Sequence, residues 1–386
     1  MLIYWLWLAE RPGVTEREKL TVLEHFENPE DCFYAKTEDF RTIPLLRKEA
    51  VEALCDKDLG EAEKILEACE KKNIRILTWQ DELYPANLKN IADPPLILYY
   101  RGTLPDFDHE PMIGVVGTRK ASAYGMHIAE QMGREITQCG GIVVSGMAEG
   151  IDAMATQGAL RAQGPAVGVL GCGVDRVYPS CNRELYRKME RCGCLLSEYP
   201  PGTPPYRWNF PKRNRIISGL SCGVLIVEAP ARSGSLITAR QALEQGRDVF
   251  VIPGNVGVAT CEGSNALLKD GAFAVTSGWD VLSEYTHRFP YKIHPARETT
   301  CRTDDKKSVD KMPATPYIDV EKTAADADET ETAILKSLQS GDKLIDSIIS
   351  DTGLPSAVVL AALTMLEVKG CVMTRPGGWV TSCENY

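Results

Sequence analysis

The middle of the chain contains a series of short, uninterrupted apolar runs, and this series constrains the fold more than any other feature. The runs cover residues 112–117, 141–145, 166–170, 194–197, 223–228 and 248–252. Strands have this character when helices cover both faces of a parallel sheet, whereas half-exposed strands alternate apolar and polar residues. Helical patterns at 123–139 and 151–162 separate successive runs. The series therefore predicts an α/β fold with a Rossmann-like, doubly wound sheet.

Changes in pattern divide the 386 residues into four predicted parts. Residues 1–75 have helical spacing and predict a small SAM-like or helix-hairpin-helix-like domain, whose acidity favours docking or dimerisation over DNA contact. Residues 76–289 form an extended Rossmann-like domain with two further strand-like runs near its start. Residues 290–328 are rich in Pro, Thr, Lys and Asp and predict a linker. Residues 329–386 predict three helices and a hairpin, as in a winged-helix domain.

Charge is distributed unevenly along the chain. The net charge is −10, yet residues 112–289 hold 18 Lys and Arg against 15 Asp and Glu. Much of this positive charge falls in the stretch 199–227, which contains no acidic residue and ends within the apolar run at 223–228. We expect the charged residues of this stretch to lie in one loop. Cations that meet phosphates and rings that stack on bases are what a single-stranded nucleic acid requires. The stretch holds both kinds of side chain: Arg207, Lys212, Arg213 and Arg215, with Tyr199, Tyr206, Trp208 and Phe210.

Several classes of protein are disfavoured by what the chain lacks. The 13 Cys include no CxxC pair, and with 5 His no zinc spacing occurs, so we predict neither a metal nor a cofactor. We interpret the cysteines as reduced thiols, with a redox role for Cys192 and Cys194 as the alternative. The apolar run at 1–9 is too short to span a membrane and lacks a basic flank. A cytoplasmic protein without a membrane partner is expected.

The loops that follow the strands contain the candidate binding residues, because ligands bind an open α/β sheet at the carboxyl ends of its strands. Several of these loops are built of small residues, and helices follow them whose free N–H groups we expect to hold anions. Asp152 is interpreted either as a helix cap or as a partner that orients Arg119. The loops supply Gly117, Thr118 and Arg119, then Ser145, Gly146, Gly150 and Asp152, and later Arg232, Ser233 and Gly234.

The chain lacks the common catalytic signatures. It has no Walker A lysine motif, no HExxH and no GxGxxG, and its histidines are scattered. We therefore expect an anion cradle without a catalytic acid, base or nucleophile, and predict that the protein is not an enzyme.

Six segments together resemble the DNA-processing protein A (DprA, also called Smf) family, and they cover the predicted Rossmann-like domain almost from end to end. They are GTRKAS at 117–122, SGMAEGIDAMA at 145–155, GCGVDRVYP at 171–179, LLSEYPPGTPP at 195–205, FPKRNRIISGLS at 210–221 and SGSLITARQALEQGRDVFVIPGN at 233–255.

The resemblance implies a homodimeric protein that binds incoming single-stranded DNA, protects it, and loads the RecA recombinase on it during natural transformation. It implies that Gly117 and Arg119 belong to a phosphate-binding turn, that Phe210 stacks on bases, and that an Arg-Asn-Arg element lies beside it. This element is Arg213, Asn214 and Arg215, while Arg207 stands where some members have a lysine.

Two other functions are compatible with the sequence. The core is also similar to nucleotide phosphoribohydrolases, in which Glu228 would act as the catalytic carboxylate, although their PGGxGT loop is absent. A duplex-binding regulator that uses the winged helix is a third possibility, although that domain is acidic and its third helix has only Glu367 and Lys369 as charges. A protein-contact role for the winged helix is favoured. Phe210 can also be a core aromatic, and Arg213 and Arg215 can support a carboxylate such as Glu198 or Glu228.

Overall fold

A computed structural model describes residues 1–296, 329–338, 341–369, 371–375 and 379–382. These residues divide into two compact units, with the boundary after residue 300. The predicted linker 290–328 lies outside the described residues from 297 onward. Its first residues pack on the first unit, since Ile293 is buried and the His294 amide donates to the Cys139 carbonyl at 3.1 Å.

The N-terminal region is helical, as expected. Local capping explains where its helices begin: Thr15 and Glu18 form a capping box, and the Asn28 side chain accepts the Asp31 amide. The first helix is apolar all round, with Trp5 and Leu8 buried, and it lies inside the region. The helices are α1 (Leu2–Ala9), α2 (Glu16–Phe26), α3 (Pro29–Tyr34), α4 (Thr37–Thr42), α5 (Lys48–Cys55) and α6 (Gly60–Lys71).

A nine-stranded sheet forms the centre of the first unit, in the order β1-β2-β6-β5-β4-β3-β7-β8-β9. The strands from β6 to β9 in this order are parallel, while β2 pairs antiparallel with both β1 and β6. The apolar runs thus form the buried parallel part, as predicted. The strands are β1 (Arg75–Thr78), β2 (Ile97–Gly102), β3 (Met112–Val116), β4 (Ile142–Ser145), β5 (Ala166–Leu170), β6 (Cys194–Ser197), β7 (Gly223–Ile226), β8 (Asp248–Val251) and β9 (Phe273–Ala274).

Helices cover both faces of this sheet, so the doubly wound architecture is confirmed. One core contains residues of α8, α9, α10 and α14 together with the N-terminal helices. The other contains residues of α7, α11 and α12. The helices are α7 (Ala86–Lys89), α8 (Ala123–Gln138), α9 (Ile151–Arg161), α10 (Arg183–Cys192), α11 (Asn209–Leu220), α12 (Gly234–Glu244), α13 (Glu262–Lys269) and α14 (Gly278–Ser283), with 3₁₀ turns at Ser180–Asn182 and Ala259–Cys261.

The expectation that the charged residues of the basic stretch lie in one loop is wrong, because residues 209–220 form helix α11. Ile216, Ile217 and Leu220 recur at helical spacing and are buried in the second core. Arg213 precedes Ile217 by one helical turn and is therefore carried toward the interior. The dense basic charge of this segment obscured its apolar face.

The second unit has the elements of a winged helix around its own small core. Its described elements are α15 (Glu329–Leu338), β10 (Lys343–Leu344), α16 (Ile345–Thr352), α17 (Ser356–Val368), β11 (Val372–Arg375) and β12 (Trp379–Ser382), with sheet order β10-β12-β11. Among the described helices, none is by itself long and apolar enough to cross a membrane; α16 and α17 meet that test only as a pair bent by 114°.

Candidate nucleic-acid interface

The crevice of the sheet lies between β3 and β7. The chain proceeds from β3 through β4 and β5 to β6 on one side, and then returns to build β7 and β8 on the other. The loops at the carboxyl ends of β3 and β7 therefore run in opposite directions. Open α/β sheets bind ligands in the crevice between two such loops. The loop after β4 lies against the loop after β3, because the Ile151 amide donates to the Thr118 carbonyl at 3.4 Å.

Asp152 fixes the loops after β3 and β4. Its buried carboxylate accepts the Gly146 amide at 3.1 Å. Burial raises the pKa of Asp152, while Arg213 and the amides of Ala148, Gly146 and Gly117 oppose this shift. Gly150, rather than Asp152, is the cap residue of α9, and Asp152 is not hydrogen-bonded to Arg119 among the described contacts. Both earlier roles of Asp152 are corrected, because it holds loop backbone instead.

Arg213 is a support beneath the loops. Its side chain is 3% exposed, and Nη1 donates to the Gly146 carbonyl at 2.7 Å and to the Val169 carbonyl. Burial lowers the pKa of Arg213, and the neighbouring Asp152 carboxylate counteracts this. A guanidinium held in this way stabilises the ends of β4 and β5, but it is not accessible to a bound DNA strand. The expected direct DNA contact by Arg213 is thus corrected to a structural role.

Arg215 and Lys212 also face a carboxylate. Arg215 is 6% exposed and makes two hydrogen bonds to Glu198, at 3.0 and 2.7 Å. Burial raises the pKa of Glu198, but Arg215 outweighs it and keeps this pKa below its usual range. Lys212 lies 3.6 Å from both Glu198 and Glu16. The alternative in which Arg215 supports Glu198 is confirmed, and Lys212 is directed to the N-terminal helices.

A buried carboxylate occupies the start of α8. Glu228 is 2% exposed and accepts the Ser122 amide at 2.9 Å and the Ser122 hydroxyl at 2.5 Å. A Cβ atom on Gly125, in the first turn of this helix, would collide with the same carboxylate. The expectation that this helix N-terminus holds a phosphate is wrong, because the protein supplies the anion itself. Glu228 is also enclosed, so it is poorly placed for the phosphoribohydrolase alternative.

Phe210 lies at the surface beside Arg119. The ring is half-buried, and its neighbour Gly171 leaves it room, since a Cβ there would come within 2.9 Å of the ring. The Arg119 Cζ atom lies 5.1 Å from the ring centroid, a cation–π distance, and the Tyr178 ring lies at 5.4 Å. Arg119 is exposed and has no hydrogen bond or ion pair among the described residues. Phe210 is thus neither a fully buried core residue nor fully exposed.

The loop after β7 forms the other side of the crevice. Arg232 and Gly234 are exposed, and the Ser233 hydroxyl caps α12 by accepting the Ser235 amide at 3.3 Å. Asn214 is half-buried and lies near this loop, with its Nδ2 atom 3.4 Å from the Gly234 carbonyl. A cation, a hydroxyl and exposed backbone thus meet at one helix N-terminus.

The predicted residues separate into an exposed set and a buried set. Those that remain accessible at least in part are Gly117, Arg119, Gly150, Arg207, Phe210, Lys212, Asn214, Arg232, Ser233 and Gly234. Those that are buried and act as supports are Thr118, Ser145, Gly146, Asp152, Arg213 and Arg215. For example, Ser145 is fully buried and donates to the Val115 carbonyl at 2.8 Å. Direct contact by this second set is corrected on the ground of burial.

Two residues near the site were missed. Lys120 is exposed beside Arg119, and Tyr178 is 38% exposed beside Phe210. The available signals were the position of Lys120 in the first loop and that of Tyr178 in the GCGVDRVYP segment.

Of the two cysteines considered for a redox role, Cys192 is exposed but Cys194 is buried. Burial raises the pKa of Cys194 to about 12, which disfavours a reactive thiolate. The described residues include no group of three or more side chains suited to a metal ion.

The fold and the surface together define an open α/β protein that presents cations, the N-terminus of α12 and an aromatic ring along the carboxyl ends of its parallel strands. A family model described as DNA recombination-mediator protein A matches residues 75–286, and one described as the DprA winged helix domain matches residues 320–378. The chain belongs to the DNA recombination-mediator protein A family.

Several known proteins are similar to this chain. Protein Smf of Synechocystis sp. is 34% identical over 97% of both chains, and DNA processing protein DprA of Bacillus subtilis is 41% identical over 58% of this chain and 76% of its own. The X-ray structure of DprA from Streptococcus pneumoniae has a TM-score of 0.66 and 37% identity, covering 74% of this chain and 98% of that one. DprA from Helicobacter pylori, a structure concerned with its single-stranded DNA binding mode, has a TM-score of 0.51 and 28% identity, covering 56% and 98%.

Proposed function

We propose that this protein binds single-stranded DNA in the cytoplasm, protects incoming strands, and loads the RecA recombinase on them in natural transformation. The observation that carries the proposal is the pair of Arg119 and Phe210 at the crevice, with an unpaired guanidinium 5.1 Å from a partly exposed ring. The single-strand binding mode of the Helicobacter pylori relative and the family membership support it.

The two sides of the crevice divide the work. Arg119, Arg207 and Arg232 are exposed and meet phosphates, together with the backbone at the start of α12. Phe210 stacks on a base. This contact tolerates any sequence because every base has an aromatic face. Arg119 covers this ring in the free protein, so its movement to a phosphate would expose the ring to the base. The buried set holds these groups in place.

The first prediction is that Arg119→Ala and Phe210→Ala each weaken binding to oligo(dT) by about 1–3 kcal/mol, because each removes one charged or stacking contact. Fluorescence anisotropy at fixed salt measures the loss. Arg134→Ala is the matched control, since Arg134 is also exposed but lies near the far end of α8, about 17 Å along the helix from its start. If both variants bind like the parent protein, the assignment of the crevice is wrong.

Salt-dependent binding to single-stranded and duplex DNA separates this function from duplex recognition by the winged helix. The proposal expects tighter binding to the single strand, with an affinity that falls as salt rises. The RecA partnership and the homodimer are proposals of the same kind, tested by RecA assembly on a coated single strand and by sedimentation. A preference for duplex DNA would transfer the site to the second unit.

A further inference from the structure

The loop between β6 and α11 presents an aromatic pair that the crevice does not include. The Tyr206 and Trp208 rings are stacked, with centroids 4.7 Å apart and planes inclined by 7°. Trp208 is 70% exposed and Tyr206 is 44% exposed, so the pair is open to solvent. Exposure of so much aromatic surface is unfavourable unless something covers it during function.

The loop that carries the pair is held firmly on both sides. Asn209 donates through Nδ2 to the Gly171 carbonyl at 3.0 Å, and its amide donates to the Tyr206 carbonyl at 3.0 Å. Farther back, the Gly173 amide donates to the Thr203 carbonyl at 3.1 Å, and the Gly202 amide to Asp175 at 2.8 Å. The rings are therefore presented by an ordered backbone, which reduces the entropy lost on binding.

The surroundings of the pair favour a strand of nucleic acid over a protein as the occupant. Arg207, between the two rings in the chain, is exposed and has no ion pair among the described residues. No acidic residue occurs from 199 to 227. A cation next to stacked rings provides one contact for a phosphate and one for a base.

The pair is also continuous with the crevice. Gly171, whose carbonyl anchors Asn209, is the residue on which the Phe210 ring packs. Trp208 and Phe210 are thus two residues apart and are attached to the same point of the loop after β5. Because Trp208 and Phe210 are so close in the chain, one strand that places a base on Phe210 can also contact Trp208.

We propose that Tyr206 and Trp208 form a second base-stacking platform, with Arg207 as its phosphate contact, for the same single strand that binds Phe210. This platform rests on the proposed function and deepens it. The protein then holds the strand through two separate bases, and Trp208 provides the outer surface, while Tyr206 supports the Trp208 ring from behind.

The experiment combines protein variants with single abasic positions moved along an oligo(dT) of fixed length. In the parent protein, base removal is expected to weaken binding at two separate positions, by about tenfold each. Trp208→Ala should weaken binding by a similar factor and make base removal at one of these positions neutral. Trp208→Phe should keep most of the affinity that Trp208→Ala loses. Phe210→Ala should make base removal neutral only at the other position.

The outcomes distinguish the platform from the crevice. If Trp208→Ala binds like the parent and keeps both abasic effects while Phe210→Ala weakens binding, the platform is overturned and the proposed function stands. If the parent does not bind the oligonucleotide, both fail. If Trp208→Ala changes the sedimentation mass but not strand binding, the pair contacts a second copy of the chain and the platform is overturned.

A spectroscopic readout locates the base independently. Trp208 and Trp379 are the two exposed tryptophans of the six in the chain, with Trp379 at 45%. In a Trp379→Phe background, stacking of a base on Trp208 should quench much of the exposed tryptophan fluorescence. An unquenched signal at saturation would overturn the platform.

Discussion

Arg119 and Arg213 both lie beside the Phe210 ring, with their Cζ atoms 5.1 and 6.0 Å from its centroid. Their environments differ completely, since Arg119 is exposed and Arg213 is enclosed by two carbonyl groups and Asp152. An exposed cation can be neutralised by a phosphate, whereas a buried one stabilises the loops from which contacts are made. Removal of Arg213 would leave the buried Asp152 carboxylate without its neighbouring cation, so its loss would act first on stability.

Glu10 offers a test at the scale of one titrating group. It lines a cavity of about 240 Å³ between the N-terminal helices and the core, where Tyr99 donates to it at 3.2 Å. Burial raises the pKa of Glu10 to about 7; Lys19 opposes this, while Glu16 and Glu198 add to it. The folded protein thus keeps a proton that the unfolded chain loses above its usual pKa near 4.5.

The second prediction follows from the sign of this difference. The contribution of Glu10 to the free energy of unfolding is fully present below about pH 4.5 and is lost as pH rises through about 7. The reason is that the unfolded chain releases this proton at a lower pH than the folded protein does. Glu10→Gln should therefore raise the melting temperature at pH 8, by an amount equivalent to roughly 2 kcal/mol, and have little effect at pH 5. Thermal unfolding at both values measures it, with exposed Glu61→Gln as control. Equal shifts at both pH values would contradict the prediction.

At the scale of elements, the loops after β3 and β4 depend on a glycine. Gly150 has a φ of 76°, and a Cβ there would lie 2.5 Å from the Thr118 carbonyl and 2.8 Å from the Arg119 carbonyl. The close approach of the two loops requires the absence of a side chain. Gly234, the first residue of α12, differs because a Cβ there would meet nothing within 4 Å.

The third prediction compares these two glycines. Gly150→Ala should separate the loops, destabilise the protein by about 1–3 kcal/mol and weaken single-strand binding, because Arg119 is displaced. Gly234→Ala should leave the stability near that of the parent, so it is the control for the stability effect alone. Thermal unfolding and anisotropy measure the two effects. If Gly150→Ala is tolerated as well as Gly234→Ala, the loops do not set the position of Arg119.

The sequence predicts the sheet well and the site only in part, for a physical reason. Continuous apolar runs reveal a strand that is buried on both faces, so the parallel strands from β3 to β8 were predictable. Burial of a charged residue leaves no such mark: Arg213 and Arg215 occur beside Lys212 in a basic run, and only the fold shows that they point inward. The pairing of Ser122 with Glu228 joins residues far apart in the chain, so local pattern could not reveal it. The winged helix was predictable because its apolar spacing is local.

The two units of the molecule are expected to contribute unequally to DNA binding. The described outward positions of α17 are largely apolar, with Val358, Leu360 and Met365 exposed. Lys369, at its end, donates to Glu331 at 2.7 Å. This surface is unlike one that reads duplex DNA through cations. A role in protein contact therefore stays the favoured prediction for the second unit.

The fourth prediction is that a chain ending at residue 296 keeps most of its single-strand affinity, because the crevice lies within the first unit. Ending the chain at 289 instead would remove Ile293, which packs on the core, and should lower stability. Anisotropy with oligo(dT) compares the shortened and full chains. A loss of about tenfold or more for the longer of the two would mean that the second unit carries much of the binding.

The Glu228 carboxylate at the start of α8 affects how free nucleotides compete with a long strand for binding. A mononucleotide that sought this helix terminus would have to displace Glu228, which is tethered to the protein and already held by Ser122. Abundant metabolites that carry one phosphate group or a short phosphate chain therefore gain little from this position. A polymer does not need it, since its many phosphates and bases engage weaker contacts together. We therefore expect free nucleotides to compete poorly with a long strand at the start of α8.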